Sequence, residues 1–159
     1  MEPNPTAQAV LFRDLLDRPV TAIFDLPNAS SDGGAVLLKA AEQRIGLIGD
    51  LSRCLVERRQ PGKVVHGLEE LVMQRVFGLA CGYPDANDAA GLKDDPVHRL
   101  LVGLDPRTEQ TLASQPTLSR FENAVTAREL FGMAWTLGEV VIERHRDRER
   151  GQEDPDHRQ

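Results

Sequence analysis

Four aspartates, Asp85, Asp88, Asp94 and Asp95, crowd one short stretch of the chain. Close carboxylates can hold a divalent cation. A calcium loop, however, needs a glycine at its sixth position and a glutamate at its twelfth. Counted from Asp85, those positions are Ala90 and Pro96. Asp88 and Asp95 therefore read as caps of short helices. The histidines His66, His98, His145 and His157 form no pair spaced around a glutamate, as a zinc protease helix requires. His66 and His98 read as surface or boundary residues. Ser30, Ser31 and Ser114 lie outside any Gly-x-Ser-x-Gly elbow. Gly33-Gly34 precedes a helix but lacks the Gly-Lys-Ser/Thr of a phosphate loop, so it reads as capping. Cys54 and Cys81 stand far apart, which excludes a disulfide framework or a cysteine-based zinc ribbon and suits a reducing compartment. No catalytic and no metal residue is assigned from these patterns.

Residues 112–123, Leu-Ala-Ser-Gln-Pro-Thr-Leu-Ser-Arg-Phe-Glu-Asn, carry a different chemistry. Leu118 and Phe121 give a short helix one apolar side. Gln115, Thr117, Ser119, Arg120 and Asn123 fall mostly off that side. Gln, Asn and Arg can bond base edges in two places, and Ser and Thr can bond phosphates. With a short helix from Pro96 ahead of it, the segment is helix-turn-helix-like over 96–123. The basic loop holding Arg58, Arg59 and Lys63 offers phosphate contacts. The bland alternatives are a solvated helix surface and a solvated loop.

The elements that position these residues follow from apolar spacing. Val36, Leu37, Ala40, Ala41 and Ile45 predict a helix that Gly46 ends in a left-handed cap. Ile48, Leu51 and Leu55 predict a second helix over 47–56. Leu68, Leu71, Val72, Val76 and Leu79 predict a third over 66–81, stopped by Gly82-Tyr83-Pro84. Short helical pieces are expected at 88–92 and 96–102, then one from Ser114 through Asn123. Thr126 with Glu129 has capping-box spacing and heads a long helix to about Arg146. Phe131 and Trp135 on it read as core. The stretch 20–24 is β-prone, and its partner could lie outside the chain. Leu11 to Leu16 suggests one helical turn. The fold class is mainly α: five to seven helices around one core, with a short N-terminal strand at most. The expected division is a flexible leader over 1–19, a helical domain over 20–146 and a charged, solvated tail over 147–159.

The chain has 159 residues, 40% hydrophobic and 28% charged, so one globular domain is expected. No apolar run is long enough to cross a membrane. No signal peptide is recognisable, so a cytoplasmic protein is expected. The net charge of −6 opposes a nucleic-acid surface, but it is uneven. Residues 1–34 carry 2 basic and 5 acidic side chains, 35–82 carry 7 and 5, and 83–159 carry 10 and 15. Only the middle is basic, so any DNA contact would be local.

Four ordered stretches carry a family resemblance. They are Ser31-Asp32-Gly33-Gly34 with Leu37-Leu38; residues 68–78 with Leu68-Glu69-Glu70-Leu71 and Gln74-Arg75-Val76-Phe77-Gly78; Gly82-Tyr83-Pro84-Asp85-Ala86-Asn87-Asp88; and residues 112–123. Over about 22–146 the chain resembles the N-terminal part of bacterial DDE transposases of the insertion sequence thirteen-eighty group. The resemblance implies a DNA recombinase that binds the terminal repeats of a mobile element at the bacterial nucleoid. It also implies a homodimer or assembly with full-length transposase. Two magnesium ions and three carboxylates would act in an RNase-H-like domain absent from this chain, so the chain itself would hold no cofactor and would be inactive alone. The alternative is an interaction module or regulatory remnant that docks on full-length transposase without touching DNA.

Overall fold

The computed structural model describes residues 7–8, 22–23 and 29–153. Two short strands, β1 (Ala7–Gln8) and β2 (Ala22–Ile23), pair antiparallel, Ala7 opposite Ile23. The β-prone segment thus finds its partner within the chain. Val20, Thr21, Phe24 and the turn expected from Leu11 lie outside the described residues, as does the tail from Asp154.

Among the described residues seven α-helices follow: α1 (Val36–Ile45), α2 (Leu47–Arg53), α3 (Leu68–Ala80), α4 (Ala89–Leu92), α5 (Pro96–Leu101), α6 (Gln115–Ala124) and α7 (Ala127–Glu153). The fold is mainly α, as expected. Gly46 at φ 72° ends α1 in the left-handed cap that its lack of a Cβ permits. The same residue opens α2, and the Ile48 amide there donates to Glu42 Oε1 at 2.7 Å. That bond satisfies one of the free amides of the helix start.

α3 is the central element, packing on α2, α5 and α6. One side meets Ile48, Leu51 and Leu101 through Val72 and Phe77. The other side meets Ala86, Ala89, Ala113 and Leu118 through Leu71. The third helix therefore buries Phe77 and Gln74, while Leu79 faces solvent. Leu79 sits in the last turn, past the neighbours that cover the helix middle. Gly82 at φ 91° then turns the chain away.

α7 departs most from expectation. Thr126 and Glu129 form the capping box: the Thr126 amide donates to Glu129 Oε2 at 2.8 Å, and the Glu129 amide donates to Thr126 Oγ1 at 3.4 Å. Glu129 also accepts from the Val56 amide at 2.9 Å and pairs with Arg58 at 3.0 Å. The bonds from Thr126, then those from Arg58 and Val56, outweigh burial and hold its pKa at about 2. The helix runs past Arg146 to Glu153, where pairs such as Asp147 with Arg150 lie one turn apart. Phe131 and Trp135 are not core. Both are exposed, ring against ring at 6.4 Å. α7 meets α2 along the side carrying Gly132 and Thr136, which approach Cys54. Met133 packs on the core as well, whereas Leu130, Phe131, Trp135, Leu137, Val141 and Ile142 are exposed.

Candidate functional site

α6 is seated by its apolar side and by its entry. Leu118 is buried and Phe121 half-buried. Immediately upstream, the buried Gln74 side chain donates to the Ala113 carbonyl and accepts from the Ala113 amide, both at 3.0 Å. An amide side chain here replaces a stretch of backbone pairing. Pro116 stands in the first turn of the helix. Its fixed φ suits that place and its missing N–H costs nothing there.

The seated helix turns Gln115, Ser119 and Glu122 toward residues 84–87. Together with Pro84, Asp85, Ala86 and Asn87 they line an open groove of about 530 Å³. Arg75 joins its two walls, pairing with Glu122 on α6 and donating to the Pro84 carbonyl at 2.9 Å. Asp85 accepts from the Asn87 amide at 2.9 Å, and Asp88 accepts from the Asp85 amide at 3.2 Å. Asp85, not Asp88, is thus the cap, and Asp88 closes the box. Asp95 caps α5 as expected, accepting from the Val97 and His98 amides at 2.9 Å each.

The expected base-reading residues share α6 but not one state. Arg120 and Asn123 are exposed; Gln115, Thr117 and Ser119 are half-buried. Asn123 donates its side-chain amide to the Ser119 carbonyl at 2.8 Å. Thr117 and Ser114 share a hydroxyl contact at 3.1 Å. The basic loop is a separate place. Arg58 is the partner of Glu129. Arg59 Nε lies 2.8 Å from Glu57 Oε1, and that contact holds the Glu57 pKa at about 2. Lys63 is exposed in the 3-10 turn Pro61–Lys63. Among the described residues, no hydrogen bond or ion pair joins this loop to α6.

A second polar cluster escaped the sequence reading. His98 is not a surface or boundary residue: it is 2% exposed, with Nε2 2.8 Å from Asp32 Oδ2. Tyr83 meets the His98 ring edge-on at 5.6 Å. Burial pushes the Asp32 carboxyl up, but the bonds from His98 and Tyr83 outweigh it and leave the pKa below its ordinary value. Cys81 is nearby, its thiol raised by burial and then by Asp32 and Asp95. Ligand atoms of Asp32, Cys81 and His98 all lie within 4.8 Å of one another. One sequence signal was Asp95-Pro96, the cap that starts the helix carrying His98.

Residues 12–151 match the family described as transposase DDE domain group 1. The chain belongs to that family. The match spans the groove, α6 and the Asp32 cluster, and links this transposase domain to DNA transposition. No curated protein and no solved structure matches the chain. Among the described residues, no helix of the transposase domain is long and apolar enough to cross a membrane.

Proposed function

We propose that this chain is the N-terminal DNA-binding and dimerisation domain of an insertion-sequence transposase of the thirteen-eighty group. It holds the terminal repeats of the element at the bacterial nucleoid, in the cytoplasm, while strand cleavage belongs to an RNase-H-like domain outside this chain. The observation that carries the reading is α6. A helix with Leu118 buried and its entry clamped by Gln74 presents Arg120 and Asn123 outward, with Gln115 and Ser119 beside a groove. Rigid seating of a polar helix is what base-edge readout demands. Lys63 is the phosphate contact best supported among the basic residues, because Arg58 and Arg59 already neutralise carboxylates.

The described residues offer magnesium no fitting set. Two-metal strand transfer needs clustered oxygen ligands. Among the described residues, the group able to hold an ion offers one carboxylate, one thiol and one imidazole. No cleavage step is assigned to it.

The test is anisotropy titration with a duplex carrying the element's terminal repeat, across a salt series. Affinity should fall steeply with salt, since each phosphate contact releases counterions. Arg120→Ala should cost about 1–3 kcal/mol on the cognate end if it reads a guanine. Undetectable or salt-independent binding would overturn the reading, and an unchanged Arg120→Ala affinity would remove that residue.

One observation favours the interaction-module alternative: Leu130, Phe131, Trp135, Leu137, Val141 and Ile142 are all exposed on α7. A helix apolar on most sides is normally covered. If full-length transposase covers it, the chain should co-purify with that protein in DNA-free buffer, and a Phe131→Ser, Trp135→Ser double variant should not.

A further inference from the structure

The geometry points to a mononuclear transition-metal site, of the zinc class, formed by Asp32, Cys81 and His98. This stands apart from the DNA reading and from magnesium chemistry. One carboxylate oxygen, one sulfur and one imidazole nitrogen are a poor set for a hard cation and a good one for a borderline ion. Zinc bonds of the usual lengths place tetrahedral ligand atoms about 3.3–3.6 Å apart. The three atoms lie within 4.8 Å of one another, and His98 Nε2 lies 2.8 Å from Asp32 Oδ2. A shift of roughly half an ångström between those two admits an ion at Zn–N and Zn–O distances.

The surroundings are those of a built site. His98 is packed in the interior, its rotation limited by the Tyr83 ring. Tyr83 also lies near enough to lower the Asp32 pKa, so it borders two of the three ligands without joining the set. Asp32 and Cys81 are partly exposed, so the fourth position opens to water. On binding, the Cys81 S–H bond breaks, a sulfur–metal bond forms, and the proton passes to solvent. The ligands come from three places: the segment ahead of α1, the residue that ends α3, and α5. A bound ion would cross-link them and stabilise the folded chain by mass action.

Cobalt(II) titration of the full chain tests this, followed by absorption, with zinc displacement. The expected result is one cobalt per chain with a thiolate charge-transfer band. Cys54→Ser should keep the band and Cys81→Ser should lose it. Added zinc should raise the Tm of the wild type but not of Cys81→Ser. If Cys81→Ser fails to fold by circular dichroism, Asp32→Asn replaces it, keeping the sulfur but weakening binding by about tenfold or more. The proposal is overturned by absence of the band in the wild type, by its survival in Cys81→Ser, by its loss in Cys54→Ser, or by undiminished affinity in Asp32→Asn. Those outcomes leave the trio as an Asp32–His98 hydrogen-bonded pair beside a free thiol.

Discussion

Gln74→Leu lowers stability by about 2–6 kcal/mol and loosens the entry to α6. Leucine keeps most of the side-chain volume, so packing against Leu71 and Leu118 changes little. What is lost is the pair of bonds to Ala113, whose amide and carbonyl are both held by the one side chain. Ala113 is fully buried, so neither group reaches water when the bonds go. A buried donor or acceptor left without a partner costs about 1–3 kcal/mol, and here there are two. Gln74→Glu keeps an acceptor for the Ala113 amide and loses the donor to its carbonyl, so it should lose stability as well and fail to restore the clamp. Urea denaturation gives the stability, and amide exchange over 117–123 reports the loosening of α6. A loss below about 1 kcal/mol with unchanged exchange in Gln74→Leu would show that the apolar contacts alone hold the helix.

Ile48→Ala costs about 2–5 kcal/mol, whereas Trp135→Ala costs about 1 kcal/mol or less, although tryptophan is the larger side chain. Ile48 is 1% exposed at the junction of α2 with α3, and its truncation leaves a cavity that close-packed neighbours cannot fill. Trp135 is 62% exposed and rests mainly on Phe131. Removing it forfeits part of one ring contact and exposes little new surface. Thermal melts of the two variants at one concentration make the comparison. A larger loss from Trp135→Ala than from Ile48→Ala would mean that the outer side of α7 is covered in solution. Sedimentation would then identify a second copy as the cover.

What was legible in the sequence was local. Gly46 after a helical period, the Thr126–Glu129 box, the Asp95 cap and the apolar side of α6 each depend on residues within about one turn of each other. Most of the missed features depend on partners far along the chain. His98 lies 66 positions from the aspartate that makes its burial tolerable, and nothing beside it announces Asp32. Gln74 stands in the buried pattern of α3 as a polar exception, yet its partner is 39 positions away. Arg58 and Arg59 look like free cations until the fold brings Glu129 to one and the local turn brings Glu57 to the other. α7 misled for the opposite reason. Its periodicity is that of a buried helix, but it packs mainly on α2, and Leu130, Phe131, Trp135, Leu137, Val141 and Ile142 stay exposed. Its extension beyond Arg146 carries solvated one-turn pairs such as Asp147 with Arg150, which an apolar pattern does not register. The groove itself was half legible, since both walls are stretches that carry the family resemblance, but only the fold sets them face to face.

The Gln74–Ala113 clamp also separates the position of α6 from the length of the segment that leads to it. Residues 102–110 connect α5 to the clamp, yet α6 takes its place from a residue in α3. Residues 107–110 are exposed, at the outer end of that connection. Extra residues there enlarge a closed loop, and doubling such a loop costs only about 0.6 kcal/mol of chain entropy. Insertions at that turn lengthen a tether without moving what it tethers.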